Sequence, residues 1–120
     1  MDKLQINHVN LGTGNDTELF LARWAAIDAS SAGDNTIIAA VPGKKIRVIG
    51  IKFSCAADVG LKWQSHTTDL GPVESYATDG GMSDYWGPHG CFFETAVGEA
   101  LILDLDGAVQ VSGWISYLLV

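Results

Sequence analysis

The acidic residues of the C-terminal third are the first candidates for chemistry. In "FFETAVGEALILDLDGAVQVSGW" (residues 92–114), Glu94, Glu99, Asp104 and Asp106 punctuate a stretch that otherwise alternates apolar with small or polar side chains. Paired carboxylates act as acid and base when they flank a cleft in unequal environments. The "ALILDLD" segment offers neither condition: Leu101, Leu103 and Leu105 share one strand face, so Asp104 and Asp106 turn together to the other, as a solvated face. Nucleophile chemistry has no better support, since there is no G-x-S-x-G elbow and neither Cys55 nor Cys91 has an activating context. The two cysteines lie far apart, form no CxxC pair, and read as small buried thiols of a reducing compartment. His8, His66 and His89 lack metal-ligand spacing; "HGC" at 89–91 is a weak hint of a ligand and equally a tight turn feeding a strand. The loop aspartates do not follow the EF-hand series. No catalytic, cofactor or metal site is expected, and the chain does not read as an enzyme.

Aromatic residues point instead to a binding surface. In "VQVSGWISYLL" (109–119), Val109, Val111, Ile115 and Tyr117 take one face, leaving Trp114 with Gln110, Ser112 and Ser116 on the other. A tryptophan on a polar face marks a partner surface or is covered by another part of its own chain, and the pattern leaves both open. Tyr85 and Trp86, at the end of a long loop, raise the same question and add sugar stacking to it. In the polar N-terminal stretch, Leu4, Ile6, Val9 and Leu11 are small apolar anchors suited to a partner.

These residues need a scaffold, and the patterning is that of β-structure. Residues 1–18, containing "GTGND", read as an extended arm. In 19–30, "LFLARWAAIDAS", Asn15 and Glu18 resemble a capping box before a short helix, but a strand with Phe20, Ala22, Trp24 and Ala26 on one face is preferred. The turn "SAGDN" precedes the strand "TIIAAV", which closes at Pro42-Gly43. In "KKIRVIGIKFS", Ile46 and Val48 alternate in one phase and Ile49, Ile51 and Phe53 in the opposite one, which predicts a bulge or corner beside Gly50. "VGLKWQSH" sets Val59, Leu61, Trp63 and Ser65 inward, against Gly60, Lys62, Gln64 and His66. Residues 67–90 read mostly as loop with a short strand at 82–86, and three strands follow at 92–95, 100–106 and 109–119. About eight short strands predict an all-β, single-domain fold over 19–120, a two-sheet antiparallel sandwich or a jelly roll.

The composition agrees with one such domain: 120 residues, 48% hydrophobic, 18% charged and 14 glycines. No apolar run is long enough for a membrane span, and the N-terminus lacks the apolar core of a signal peptide, so synthesis in a cytoplasm is expected. The net charge of −7 disfavours nucleic acid as a partner. Five of the seven basic residues, Lys44, Lys45, Arg47, Lys52 and Lys62, fall in one short region, and nothing beyond Lys62 is basic. Eight acids follow Trp63. Such a division suits head-to-tail pairing of copies in a closed ring, unless the fold interleaves the two halves.

Three stretches together carry a family resemblance: "RWAAIDASSAGDNTIIAAVPGKKIRVIGIKF", "LKWQSHTTDLGP", and "FETAVGEALILDL" leading into "VQVSGWISYLLV". They resemble small proteins encoded among the structural genes of tailed bacteriophages, over about residues 23–120. The resemblance implies a capsid decoration, or cement, protein: a jelly-roll homotrimer on the virion exterior, bound to the major capsid protein and stabilising the shell. The "GCFFET" segment departs from the tryptophan-containing version expected there, and residues 1–22 lie outside the match. The alternative is a host-facing head-fibre or tail-associated module that recognises carbohydrate through Tyr85, Trp86 and the surrounding acids.

Overall fold

The computed structural model describes residues 8–10, 19–87 and 90–120, with side chains from residue 21 onward. Every regular element among them is a β-strand. The strands are β1 (His8–Asn10), β2 (Leu19–Leu21), β3 (Arg23–Ala29), β4 (Gly33–Ile38), β5 (Ile46–Cys55), β6 (Val59–Ser65), β7 (Thr68–Asp69), β8 (Glu74–Tyr76), β9 (Gly81–Tyr85), β10 (Phe93–Glu94), β11 (Leu101–Leu105) and β12 (Val111–Leu119).

Ten of these strands form two antiparallel five-stranded sheets packed as a sandwich. In the first sheet, β3, β12 and β5 run side by side, and β9 and β10 follow one another along the far edge of β5. In the second, β4, β11 and β6 are neighbours, with β7 and β8 sharing the far edge of β6. The far edge of each sheet is broken in two, and β7 and β8 bring the sandwich from the eight strands that the pattern suggests to ten. A separate two-stranded sheet pairs β1 with β2, so part of the expected arm is a hairpin strand whose partner starts the 19–30 segment. That segment is strand rather than helix, but in two pieces: β2 and β3 are separated at Ala22 and belong to different sheets.

The core lies between the sheets. Ile27, Ala29, Ile46, Val48, Ile51, Phe53, Val111 and Ile115 from one sheet meet Ile38, Val59, Leu61, Trp63, Leu101, Leu103 and Leu105 from the other. Trp63 is only 6% exposed and its ring packs on Phe93 at 5.5 Å between centroids. The phase flip in β5 is a bulge: Ser116 of β12 pairs with Gly50 and Tyr117 with Val48, leaving Ile49 unopposed. Without that extra residue, Ile46 and Val48 could not share the core with Ile51 and Phe53.

Three local expectations need correction. Strand β4 begins at Gly33, inside the segment expected to be a turn, because "GDN" pairs with Leu105, Asp104 and Leu103 of β11. The Asn35 amide donates to the carbonyls of Ser31 (2.8 Å) and Leu103 (3.3 Å), bonds that make the stretch look turn-like in sequence and hold it in the sheet. Second, Gln64 does not stand on an open face: it is buried between its cross-strand neighbours Ile102 and Asp69, donating to Asp69 Oδ1 at 3.0 Å while its Oε1 finds no partner. Third, 67–90 contains β7 and β8 as well as β9, since short strands hold where a long neighbour offers unpaired backbone.

Candidate functional site

The register of the first sheet assembles its outer face. Directly paired residues share a face of an antiparallel sheet. One row across β3, β12, β5 and β9 reads Trp24, Ser116, Gly50, Tyr85; the next reads Ala26, Trp114, Lys52, Ser83. Three large aromatic residues therefore stand on one surface, Trp24 71%, Tyr85 60% and Trp114 48% exposed. At the usual strand spacing, Trp24 and Tyr85 are separated by about 14 Å across the small residues Ser116 and Gly50.

Between Tyr85 and Trp114 the surface sinks into a groove of about 690 Å³, bounded also by Gly50, Lys52, Ser83 and Ser116, with Asp84 at its rim. Gly50 is required here by space. A Cβ at that position would stand 2.9 Å from Cδ1 of Tyr85 and 3.4 Å from the Ser116 Cβ. The tyrosine ring lies over the glycine, so a side chain there would lift the wall of the groove. Asp84 fixes the approach to that wall by accepting from the Tyr85 backbone N–H at 2.8 Å.

Trp86 does not join this groove. Its backbone N–H donates to the Ile49 carbonyl (2.7 Å) and its indole meets Phe92 edge to face at 6.3 Å, beside Gly90. Tyr85 and Trp86, adjacent in sequence, thus serve different surfaces. Val9 lies in β1 opposite Phe20; Leu4, Ile6 and Leu11 lie outside the described residues. Sequence reasoning missed Trp24, Gly50, Lys52 and Ser116. The alternation of Trp24 with Ala22 and Ala26 was visible, but only the register with β12 sets it on the face of Trp114.

The carboxylates make contacts within the fold. Asp106 Oδ1 accepts from the Gly60 N–H (2.8 Å), and Asp104 lies 3.9 Å from Lys62 Nζ, which also meets Asp69 at 3.2 Å. Glu94 pairs with Arg47 and stands 4.0 Å from Lys45. Glu99 accepts from the buried Ser65 hydroxyl (2.6 Å). Among the described residues no group of three or more His, Cys, Asp or Glu is arranged to hold a metal ion. Cys55 is buried and Cys91 half-buried, both free thiols, and His89 lies outside the described residues.

Charge is distributed along the strands. These ion pairs tie the basic region to the acidic back half, so the two halves interleave within the sheets. A lengthwise asymmetry remains. The turns at one end carry Asp28, Asp34, Asp58, Asp79 and Asp106, all exposed, and among the described residues no lysine or arginine. The other end carries Arg23, Lys44, Lys45 and Arg47 against Glu94 and Glu99, and strand β2 leads into β3 there, beside the end of β12.

Comparison of the chain with protein-family models, curated proteins and solved structures finds no match.

Proposed function

We propose that the protein is a virion structural protein: a capsid decoration protein that seats on the outer surface of a tailed-phage head and stabilises the shell. The observation that carries this reading is the one-ended layout of the sandwich. The hairpin β1–β2 and the exposed bases Arg23, Lys44 and Lys45 share one end, and five aspartates occupy the other. A module whose foot gathers exposed bases and whose tip is acidic is suited to standing on an acidic surface in one orientation.

The strand order supports the jelly-roll assignment. Consecutive strands β3, β4, β5 and β6 alternate between sheets, and the last two strands, β11 and β12, each insert between an early pair, β4 and β6 or β3 and β5. That doubly folded path is how a jelly roll closes two Greek keys, an architecture recurrent in viral capsid proteins. The homotrimer belongs to the same proposal and rests on the resemblance. Because the charge division runs lengthwise, it favours attachment polarity over lateral ring closure, and lateral contacts would fall to side surfaces such as edge strand β3 with Trp24. Three such feet on one shell would convert weak contacts into firm binding.

The test is cosedimentation with undecorated heads of the parent phage. Binding that weakens with added salt and is lost on Lys44→Glu with Lys45→Glu supports the proposal. Failure of the wild-type protein to cosediment at any salt concentration contradicts it.

A further inference from the structure

We propose that the groove between Tyr85 and Trp114 is a saccharide-binding site. This inference goes beyond the decoration reading and does not rest on it, since the groove lies on a sheet face and the proposed foot is at a sandwich end.

The two walls of the groove are aromatic side chains, each about half exposed or more although each belongs to a regular strand. Its floor is Gly50 and Ser116, and its border carries the Lys52 ammonium and the Ser83 hydroxyl. A pyranose ring has the complementary build, with apolar C–H faces and a periphery of hydroxyls. Tyrosine and tryptophan offer a broad apolar face beside a polar tip, so they can cover the ring while its hydroxyls reach the border groups.

The floor strengthens this assignment. Gly50 and Ser116 are small residues at adjacent register positions of the two central strands, and the Tyr85 ring is seated over the glycine. The wall is therefore held by the sheet, and a ligand meets a site that is already shaped. Lys52 takes part in none of the ion pairs formed among the described residues, so its donors are available to hydroxyl or carboxylate groups of a sugar.

Other ligands fit less well. Bases of single-stranded nucleic acid stack on such residues, but they need a positively charged track, and this chain carries −7 overall with one lysine at the groove. A proline-rich peptide docks along apolar slots between aromatic ridges, whereas the bottom here is glycine and serine and the border is charged and hydroxylated.

The test uses the full-length protein and the probes maltohexaose, cellohexaose, chitohexaose and an oligogalacturonate, each titrated to ~10 mM while tryptophan emission and amide NMR shifts are followed. At least one probe should bind, with shifts centred on Gly50, Lys52, Tyr85 and Trp114. Trp114→Ala and Tyr85→Ala should each weaken that binding by about tenfold or more, and Trp86→Ala by less than about twofold. Gly50→Val should abolish it, and because that variant can disturb folding, Lys52→Gln provides an independent arm that weakens binding with the sheet intact. No binding by any probe overturns the proposal. So does binding indifferent to Trp114→Ala and Tyr85→Ala, preferential binding of a polyproline peptide in the groove, or self-association in light scattering that Trp114→Ala abolishes.

Discussion

At the scale of single residues, the cleanest contrast runs through β6. Trp63 fills the space between the sheets, so Trp63→Ala should cost about 3–5 kcal/mol of unfolding free energy in denaturant titration. Lys62→Ala, which breaks contacts to partly exposed carboxylates, should cost no more than about 1 kcal/mol. Gln64→Ala should fall between them, at about 1–2 kcal/mol, since it removes a buried amide and its bond to Asp69. Equal losses at all three would contradict the burial described. The inward set was legible in "VGLKWQSH" because strict alternation has a single meaning once one face is apolar; Gln64 was not, because its cover comes from β11 and β7, distant in sequence. Titrating groups add a second residue-scale expectation. Hydrogen bonds from Gln64 and then Lys62 hold the Asp69 carboxyl below the usual carboxylate range. Its contribution is therefore complete above the unfolded value of about 4 and lost as pH falls through the lowered folded value. Burial pushes the Cys55 thiol up, and burial followed by the Glu74 charge pushes the Tyr76 phenol up. Those contributions are complete below the unfolded values of about 8.5 and 10 and lost as pH rises through the raised folded ones. Thermal midpoints should accordingly decline on the alkaline side, and Cys55→Ala should remove the earlier part of that decline; an unchanged alkaline profile would show that the thiol is not responsible.

At the scale of elements, the centre of the first sheet is set by close backbone approach. A Cβ at Gly113 of β12 would meet the Lys52 carbonyl oxygen at 1.9 Å, so the strand must move to accept alanine. Gly113→Ala should cost roughly 1–3 kcal/mol or more, while Ser112→Ala, on the exposed face, should stay within about 0.5 kcal/mol. The hairpin makes the opposite prediction. Because β1 pairs, among the described residues, with β2 alone, and the ten-strand sandwich begins at β3, deleting residues 1–18 should leave the thermal midpoint nearly unchanged and weaken the proposed attachment to undecorated heads. A truncated protein that melts several degrees earlier yet decorates fully would reverse that assignment. Elements with strong local pattern, β5, β6, β11 and β12, could be read directly, including the β5 bulge from its phase flip. Those held by distant partners could not: the start of β4 depends on β11, and β7 and β8 depend on β6, with no periodicity of their own.

For the whole molecule, the front-to-back charge division of the sequence becomes two things in the fold: cross-strand ion pairs inside the sheets and a lengthwise polarity outside them. No linear pattern separates these outcomes, because strand pairing decides which charges meet. The aromatic face is a similar case. Trp114 and Tyr85 stood out singly, but their union with Gly50 and Trp24 is a property of register across four strands. In the proposed function the hairpin-bearing end, with Arg23, Lys44 and Lys45, stands on a phage head. The most direct test of that placement is a cryo-EM map of the parent particle. The account predicts density for this sandwich on the outside of the head, with Lys44 and Lys45 toward the shell and the turns of Asp34, Asp58 and Asp106 pointing outward. A map in which the head surface lacks this domain, or in which the domain sits on the tail or meets the shell through its aspartate-bearing end, would contradict it.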